Sequence, residues 1–188
     1  DGWDACSGYY YADSTINGFS HTHLSGTGCG DYGDVLLMPT VGRQDYHAMG
    51  KKSQQMAYAS PFSHGREKAE PGYYSVFLDR YGVQAELTST KRAAIHRYTF
   101  PKSGKAGFIL DLDYSLQRQK NEEMKLEVIS DTEIRGHKKT VYWAFDQYIN
   151  FYAKFSKPFT YTMVTDSMAL DEGEPLLPTA KVLLPFQT

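Results

Sequence analysis

Tyr73-Tyr74-Ser75-Val76-Phe77-Leu78-Asp79-Arg80-Tyr81-Gly82-Val83-Gln84-Ala85-Glu86-Leu87-Thr88 decides the fold class. Tyr74, Val76 and Leu78 alternate with Ser75, Phe77 and Asp79. After Arg80-Tyr81-Gly82 the pattern resumes, with Val83, Ala85 and Leu87 alternating against Gln84, Glu86 and Thr88. Successive side chains of a strand point to opposite faces, so this period of two around a glycine turn predicts a hairpin with one buried face and one wetter face.

Further alternating runs follow at Ala93–Phe100, Gly107–Asp113, Lys125–Ser130, Thr140–Phe145, Ile149–Phe155 and Phe159–Thr165, with a last strand at Lys181–Phe186. Turn signals divide them at Pro101–Gly104, Lys120–Glu122, Arg135-Gly136 and Lys157-Pro158. Short strands at this spacing predict an all-β, antiparallel sandwich of two packed sheets. The 15 Tyr and 10 Phe suit broad pleated faces. Trp143, inside an alternating run, is expected in the core. Leu116–Glu123 reads equally as a short helix or a loop. Arg43–Gln55 is polar and aperiodic, an exposed connection, and Asp171–Pro175 an acidic surface turn.

The chain has 188 residues and a net charge of −2. That length suits one domain able to bury roughly 70% of its unfolded surface. The charge offers no basic field for a phosphate backbone, which disfavours nucleic acid as a partner. No apolar run reaches the ~20 residues of a spanning helix, and nothing at Asp1 resembles a cleavable signal. A start at Asp1-Gly2-Trp3 without Met reads as a piece cut from a longer protein.

Gly18–Asp34 (GFSHTHLSGTGCGDYGD) concentrates two histidines, two carboxylates, a cysteine and five glycines. Glycine serves where the backbone takes positive φ or approaches another group closely, so this is an unusually folded loop. Loops carrying such groups are frequent seats of function. The alternative is a plain Gly-rich connection between strands. His21 and His23 share a face if extended, and three roles stay open for them: a structural tie, a contact to sugar hydroxyls, or part of a metal site.

Among the carboxylates, Asp31 with Asp34 and Asp111 with Asp113 are the pairs to consider for acid–base work. Asx side chains forming turns beside glycine explain the first pair equally well. The i, i+2 spacing of the second sets like charges side by side and favours a solvated outer face. His64 and His96 read as ordinary strand or loop histidines. Cys6 and Cys29 could close a disulfide loop of about two dozen residues, worth about 3 kcal/mol. Two separate thiols remain the other reading.

Three ordered blocks carry a family resemblance. They are Gly2–Tyr9 with Ile16–Gly28 and Gly33–Pro39, then Phe62–Tyr74 running to Ala85–Thr90, then Ala144–Asp146 with Phe151–Phe159. The set resembles the N-terminal domain of glycoside hydrolase family 92, the inverting, calcium-dependent exo-α-mannosidases best known from gut Bacteroidetes. The resemblance implies a large galactose-mutarotase-like supersandwich spanning residues 1–188. It implies, too, that strands preceding Asp1 and a helical catalytic domain following Thr188 belong to the longer protein.

It further implies that acid, base and calcium sit in that helical domain, so no catalytic carboxylate and no metal ligand is assigned in this chain. Trp3, His23, Ser25 and Thr27 would contact the terminal mannose, with core packing the other reading of Trp3. Phe62–Gly72 would be a loop before the strand Tyr73–Leu78. The implied partners are mannose-containing glycans and the helical domain, and the implied compartment is the periplasm, the cell surface or the medium. Alone, the chain should hydrolyse nothing. A stand-alone carbohydrate-binding module, a purely structural sandwich and a mutarotase-like epimerase are the competing readings.

Overall fold

A computed structural model describes residues 8–23, 30–42, 55–102, 104–116, 120–164 and 181–186. The expected hairpin is present: β5 (Tyr73–Leu78) pairs antiparallel with β6 (Val83–Ser89), Leu78 opposite Val83 and Val76 opposite Ala85. These four side chains are wholly buried. The turn closes where the Gly82 amide donates to the Leu78 carbonyl at 2.9 Å. β7 (Ala94–Thr99) flanks β6. On the other side of β5 runs β4 (Glu67–Glu70), with a short 3-10 turn at His64–Arg66 before it. Phe62–Gly72 is therefore a turn and an edge strand rather than a loop. Its charged residues suit an exposed edge, where a strand needs little apolar surface.

A second four-stranded sheet runs β12 (Thr162–Val164), β13 (Lys181–Pro185), β8 (Ala106–Asp111), β2 (Leu36–Val41). Phe108, Ile109 and Leu110 are consecutive and all buried, so this sheet is covered on both faces. Ile109 with Leu36 and Met38 packs against Val76, Leu78, Val83 and Ala85 of the hairpin sheet. Phe108, Leu110, Val182 and Leu184 share a second core with Ile134, Met124, Leu126 and Phe151. These come from the sheet of β9 (Lys120–Val128), β10 (Glu133–Val141) and β11 (Gln147–Lys154). A two-residue pair, β1 (Thr15–Ile16) with β3 (Ser60–Pro61), completes an all-β, antiparallel sandwich among the described residues.

The three-stranded sheet departs most from its sequence reading. Lys120–Glu122 lies inside β9 and Arg135-Gly136 inside β10, so neither is a turn. Asn121 is free to sit in a strand because its amide donates to the Asp113 carboxylate at 2.7 Å. Gly136 is in the strand because a Cβ there would lie 2.5 Å from the Lys125 carbonyl and 2.7 Å from the Phe151 ring. Lys120–Glu123 is thus strand, not helix. Thr140–Phe145 is not a strand: β10 ends at Val141, and Tyr142–Asp146 form the hairpin tip. Trp143 consequently stands 72% exposed instead of in the core. Most of Arg43–Gln55 and all of Asp171–Pro175 lie outside the described residues.

Candidate functional site

The two arms of the Gly18–Asp34 loop run antiparallel. Phe19 and Leu37 exchange both backbone hydrogen bonds at 2.9 Å, and His23 bridges to Tyr32. The Gly33 amide donates to the Thr22 carbonyl at 2.6 Å. Hydroxyls of Ser20 and Thr22 both donate to the Asp34 carbonyl, at 2.5 and 3.1 Å. The small polar residues of the first arm thus serve as hydrogen-bond clamps on the second.

The second arm is bent through unusual backbone. Tyr32, Gly33 and Val35 take φ of 67°, 79° and 57°. A β-branched residue in the left-handed region is strained, and such strain persists only where surrounding contacts enforce it. Gly33 has no substitute, since a Cβ would lie 2.7 Å from the Leu116 side chain.

At the end of the bend lies a buried ion pair. Lys138 Nζ lies 2.7 Å from Asp34 Oδ1, with both side chains fully buried. The ammonium also donates to the Tyr114 carbonyl at 2.8 Å. Burial pushes the Asp34 carboxyl up from its ordinary value, and the Lys138 ammonium opposes that push. Asp34 is thus the loop's anchor on β10, more than the turn-former the sequence suggested. Lys138 escaped the sequence reading because it looks like one more cation in His137-Lys138-Lys139. The signal was its parity: it shares a strand face with Ile134 and Thr140.

His21 and His23 diverge in role. His21 Nε2 hydrogen-bonds to His96 Nε2, and His96 Nδ1 in turn to the Tyr98 hydroxyl at 2.7 Å. Two facing imidazole nitrogens can share one hydrogen, so at least one ring is neutral. Burial, then the neighbouring His21, brings His96 down to about 4; burial, then His23, lowers His21. His96 is therefore the partner of the loop on β7, not an incidental strand histidine. His23 is exposed at the end of the described arm.

His64 also has a larger part than its sequence context suggested. Its Nδ1 faces Glu67 Oε2 at 2.5 Å and its Nε2 faces the Tyr11 carbonyl at 2.6 Å. Both partners are acceptors, an arrangement in which the imidazolium form satisfies both contacts. The hydrogen bond to Glu67 raises its pKa accordingly. Burial pushes Glu67 up, but hydrogen bonds from Tyr74, His64 and Tyr9 outweigh it and hold the carboxyl below its ordinary value. The Tyr11 ring stacks on His64, centroids 4.1 Å apart. The cluster ties Tyr9–Tyr11 to the edge of the hairpin sheet.

Asp111 and Asp113 are not a solvated pair. Asp111 is buried, accepts from the Tyr58 hydroxyl at 2.6 Å, and caps the amides of Asp113 and Tyr114, both at 3.0 Å. Among the described residues no three His, Cys, Asp or Glu side chains gather as an ion site, and no helix is long and apolar enough to cross a membrane. Trp3, Ser25, Thr27 and the proposed bridge between Cys6 and Cys29 lie outside the described residues.

The sequence model of the glycosyl hydrolase family 92 N-terminal domain matches residues 1–186. A family GH92 α-mannosidase from Bacteroides thetaiotaomicron superposes with a TM-score of 0.85 at 35% identity, over 98% of this chain and 26% of that one. The same enzyme in complex with mannoimidazole gives the same score over 99% of this chain. A second protein of that organism, described as a family GH92 inverting mannosidase, superposes with a TM-score of 0.67 at 25% identity, over 96% of this chain and 23% of that one. An uncharacterized secreted glycosidase of Arthroderma benhamiae is 34% identical over 102 residues, 54% of this chain and 13% of its own length. The chain thus spans about a quarter or less of these relatives.

Proposed function

Since the chain belongs to glycosyl hydrolase family 92 through that family's N-terminal domain, we propose that it is the β-sandwich of an inverting exo-α-mannosidase that removes terminal α-mannose from glycans. The Gly18–Asp34 loop walls the pocket for the terminal sugar, and a helical domain elsewhere in the longer polypeptide supplies acid, base and calcium. The observation that carries the reading is the family match across residues 1–186, joined to a loop whose strained turn is pinned by a buried ion pair. A sugar pocket needs walls that hold their shape within a fraction of an ångström.

In this reading His23 donates to or accepts from mannose hydroxyls, Ser25 and Thr27 add hydroxyl partners, and Trp3 stacks on the apolar face of the pyranose. Inversion needs two carboxyls about 6.5–9.5 Å apart with water between them. Asp34 and Asp111, the most buried candidates described, are committed to Lys138 and Tyr58. In this reading the acid and base belong to the further domain. Calcium, when bound there, would clamp adjacent sugar hydroxyls; no described cluster in this chain fits such an ion. A periplasmic, surface or secreted location is proposed with the enzyme, supported by the secreted relative.

The test compares the full-length enzyme with its His23→Ala variant on an α-linked mannobiose. A loss of about 100-fold in kcat/KM with an unchanged melt is expected. Unchanged kinetics would make the loop scaffold, and turnover by the 188-residue chain alone would overturn the division of labour.

A further inference from the structure

The β9–β10–β11 sheet turns Ile134 and Lys138 inward and leaves its other face to solvent. On that face Arg135 lies between Glu127 and Tyr152, His137 between Lys125 and Asn150, and Lys139 between Glu123 and Tyr148. Most of the charges are paired. Arg135 pairs with Glu127 at 2.8 Å, Lys154 with Glu133 at 2.8 Å, and Lys139 with both Glu122 and Asp146 at 2.8 and 3.1 Å, while the His137 ring lies 3.7 Å from Glu123 and Lys125 stands exposed opposite His137. The face therefore carries no field of one sign.

Large aromatic side chains stand on this face and at the hairpin tip that continues it. Tyr152 and Tyr148 are 58% and 61% exposed, and at the hairpin tip Trp143 and Phe145 are 72% and 82% exposed. The Lys139 ammonium sits 5.4 Å from the Tyr148 ring centroid. Tyr148 and Tyr152 share a strand face four residues apart, a separation of about 14 Å. An open groove of about 530 Å³, lined in part by Lys125, Arg135, His137, Asn150 and Tyr152, crosses the sheet beside them.

The chemistry selects among occupants. Nucleic acid or an anionic membrane would need a cluster of unpaired cations, and Lys125 alone does not make one. The core of a protein interface is depleted of charge, and this face is crowded with it. A neutral, polyhydroxylated chain fits both features: aromatic rings take its C–H faces, and paired ions and the Asn150 amide take its hydroxyls.

We infer that this face, from Tyr152 to the Trp143–Phe145 tip, is a platform for a neutral glycan chain, additional to the Gly18–Asp34 loop. The inference rests on the reading of the protein as glycan-active. It would hold a long glycan on the protein while an end sugar is processed.

The test uses the full-length protein, wild type against Trp143→Ala/Phe145→Ala and against Tyr152→Ala. Affinity electrophoresis in gels containing α-mannan is compared with hydrolysis of α-linked mannobiose. Mannan affinity about tenfold weaker in the double variant is expected, as loss of two stacking rings implies, with mannobiose kcat/KM and the melt unchanged. Unaltered mannan retardation in both variants would overturn the platform. So would protection of Trp143 and Tyr152 from hydroxyl-radical labelling in the glycan-free wild type, which would mark a protein interface. Cleavage of mannobiose without mannan retention sinks the platform and leaves the enzymatic reading standing. Retention lost in the double variant without any cleavage does the reverse.

Discussion

Lys138 Nζ and Asp34 Oδ1 lie 2.7 Å apart with neither side chain reaching solvent, so the Gly-rich loop and β10 are joined by charge in the interior. Removing one partner strands the other without compensation. Lys138→Met is expected to cost about 3–5 kcal/mol, read by denaturant unfolding, and Lys138→Met/Asp34→Leu to recover much of that loss. Equal losses in the single and double variants would deny the pair its role.

Gly33 combines a φ of 79° with a prospective Cβ contact of 2.7 Å to Leu116. Gly33→Ala should destabilise by more than about 1 kcal/mol, beyond the ordinary penalty for a left-handed alanine. A thermal melt within error of wild type would show that the turn relaxes freely.

His96 titrates at about 4 in the folded chain against an ordinary 6.5. The unfolded chain therefore binds the proton more tightly between those values, and stability is complete above about pH 6.5 and falls as pH drops towards 4. His21, lowered as well, adds to the same slope. Melting temperatures at pH 7, 5.5 and 4.5 should fall less steeply in His96→Gln than in wild type. Parallel profiles would exclude the His21–His96 contact as a titrating element.

His64 goes the other way. Its folded pKa is raised by Glu67, so its contribution is full below the ordinary imidazole value and is lost as pH rises through the folded one. An NMR titration should place His64 above 6.5, and Glu67→Gln should bring it down. An ordinary value in the wild type would mean the ring is not held as an imidazolium.

The strands that obeyed period two were legible in the sequence. Tyr73–Leu78 and Val83–Ser89 stood out because one face is buried and the other wetter, and Leu78 and Val83 mark the turn from both sides. The family resemblance carried the identity of the domain. Less legible was everything decided by a partner far along the chain. Arg135-Gly136 looked like a turn because no local rule reveals that the Phe151 ring will cover the glycine. Trp143 looked like core because hydrophobicity is silent about where a hairpin folds back. Asp34 could be marked as interesting, yet its partner lies 104 positions away, and only the parity of Lys138 hinted at it. His96 and His64 lacked any local motif, since each is defined by a tertiary contact.

The sheet that separates the two cores is built from strands far apart in sequence. Its strands β2, β8 and β13 lie some seventy positions apart along the sequence, and β13 sits between β8 and β12 rather than at an edge. Each pairing closes a loop of some seventy residues, an entropic debt settled before the contacts repay it. Until Lys181–Pro185 arrives, the backbone of β8 lacks a partner along one side, and both apolar faces stay incomplete. On the ribosome the β5–β6 hairpin can form early and locally. The central sheet waits for Lys181–Pro185, and during that interval the unpaired side of β8 is open to aggregation.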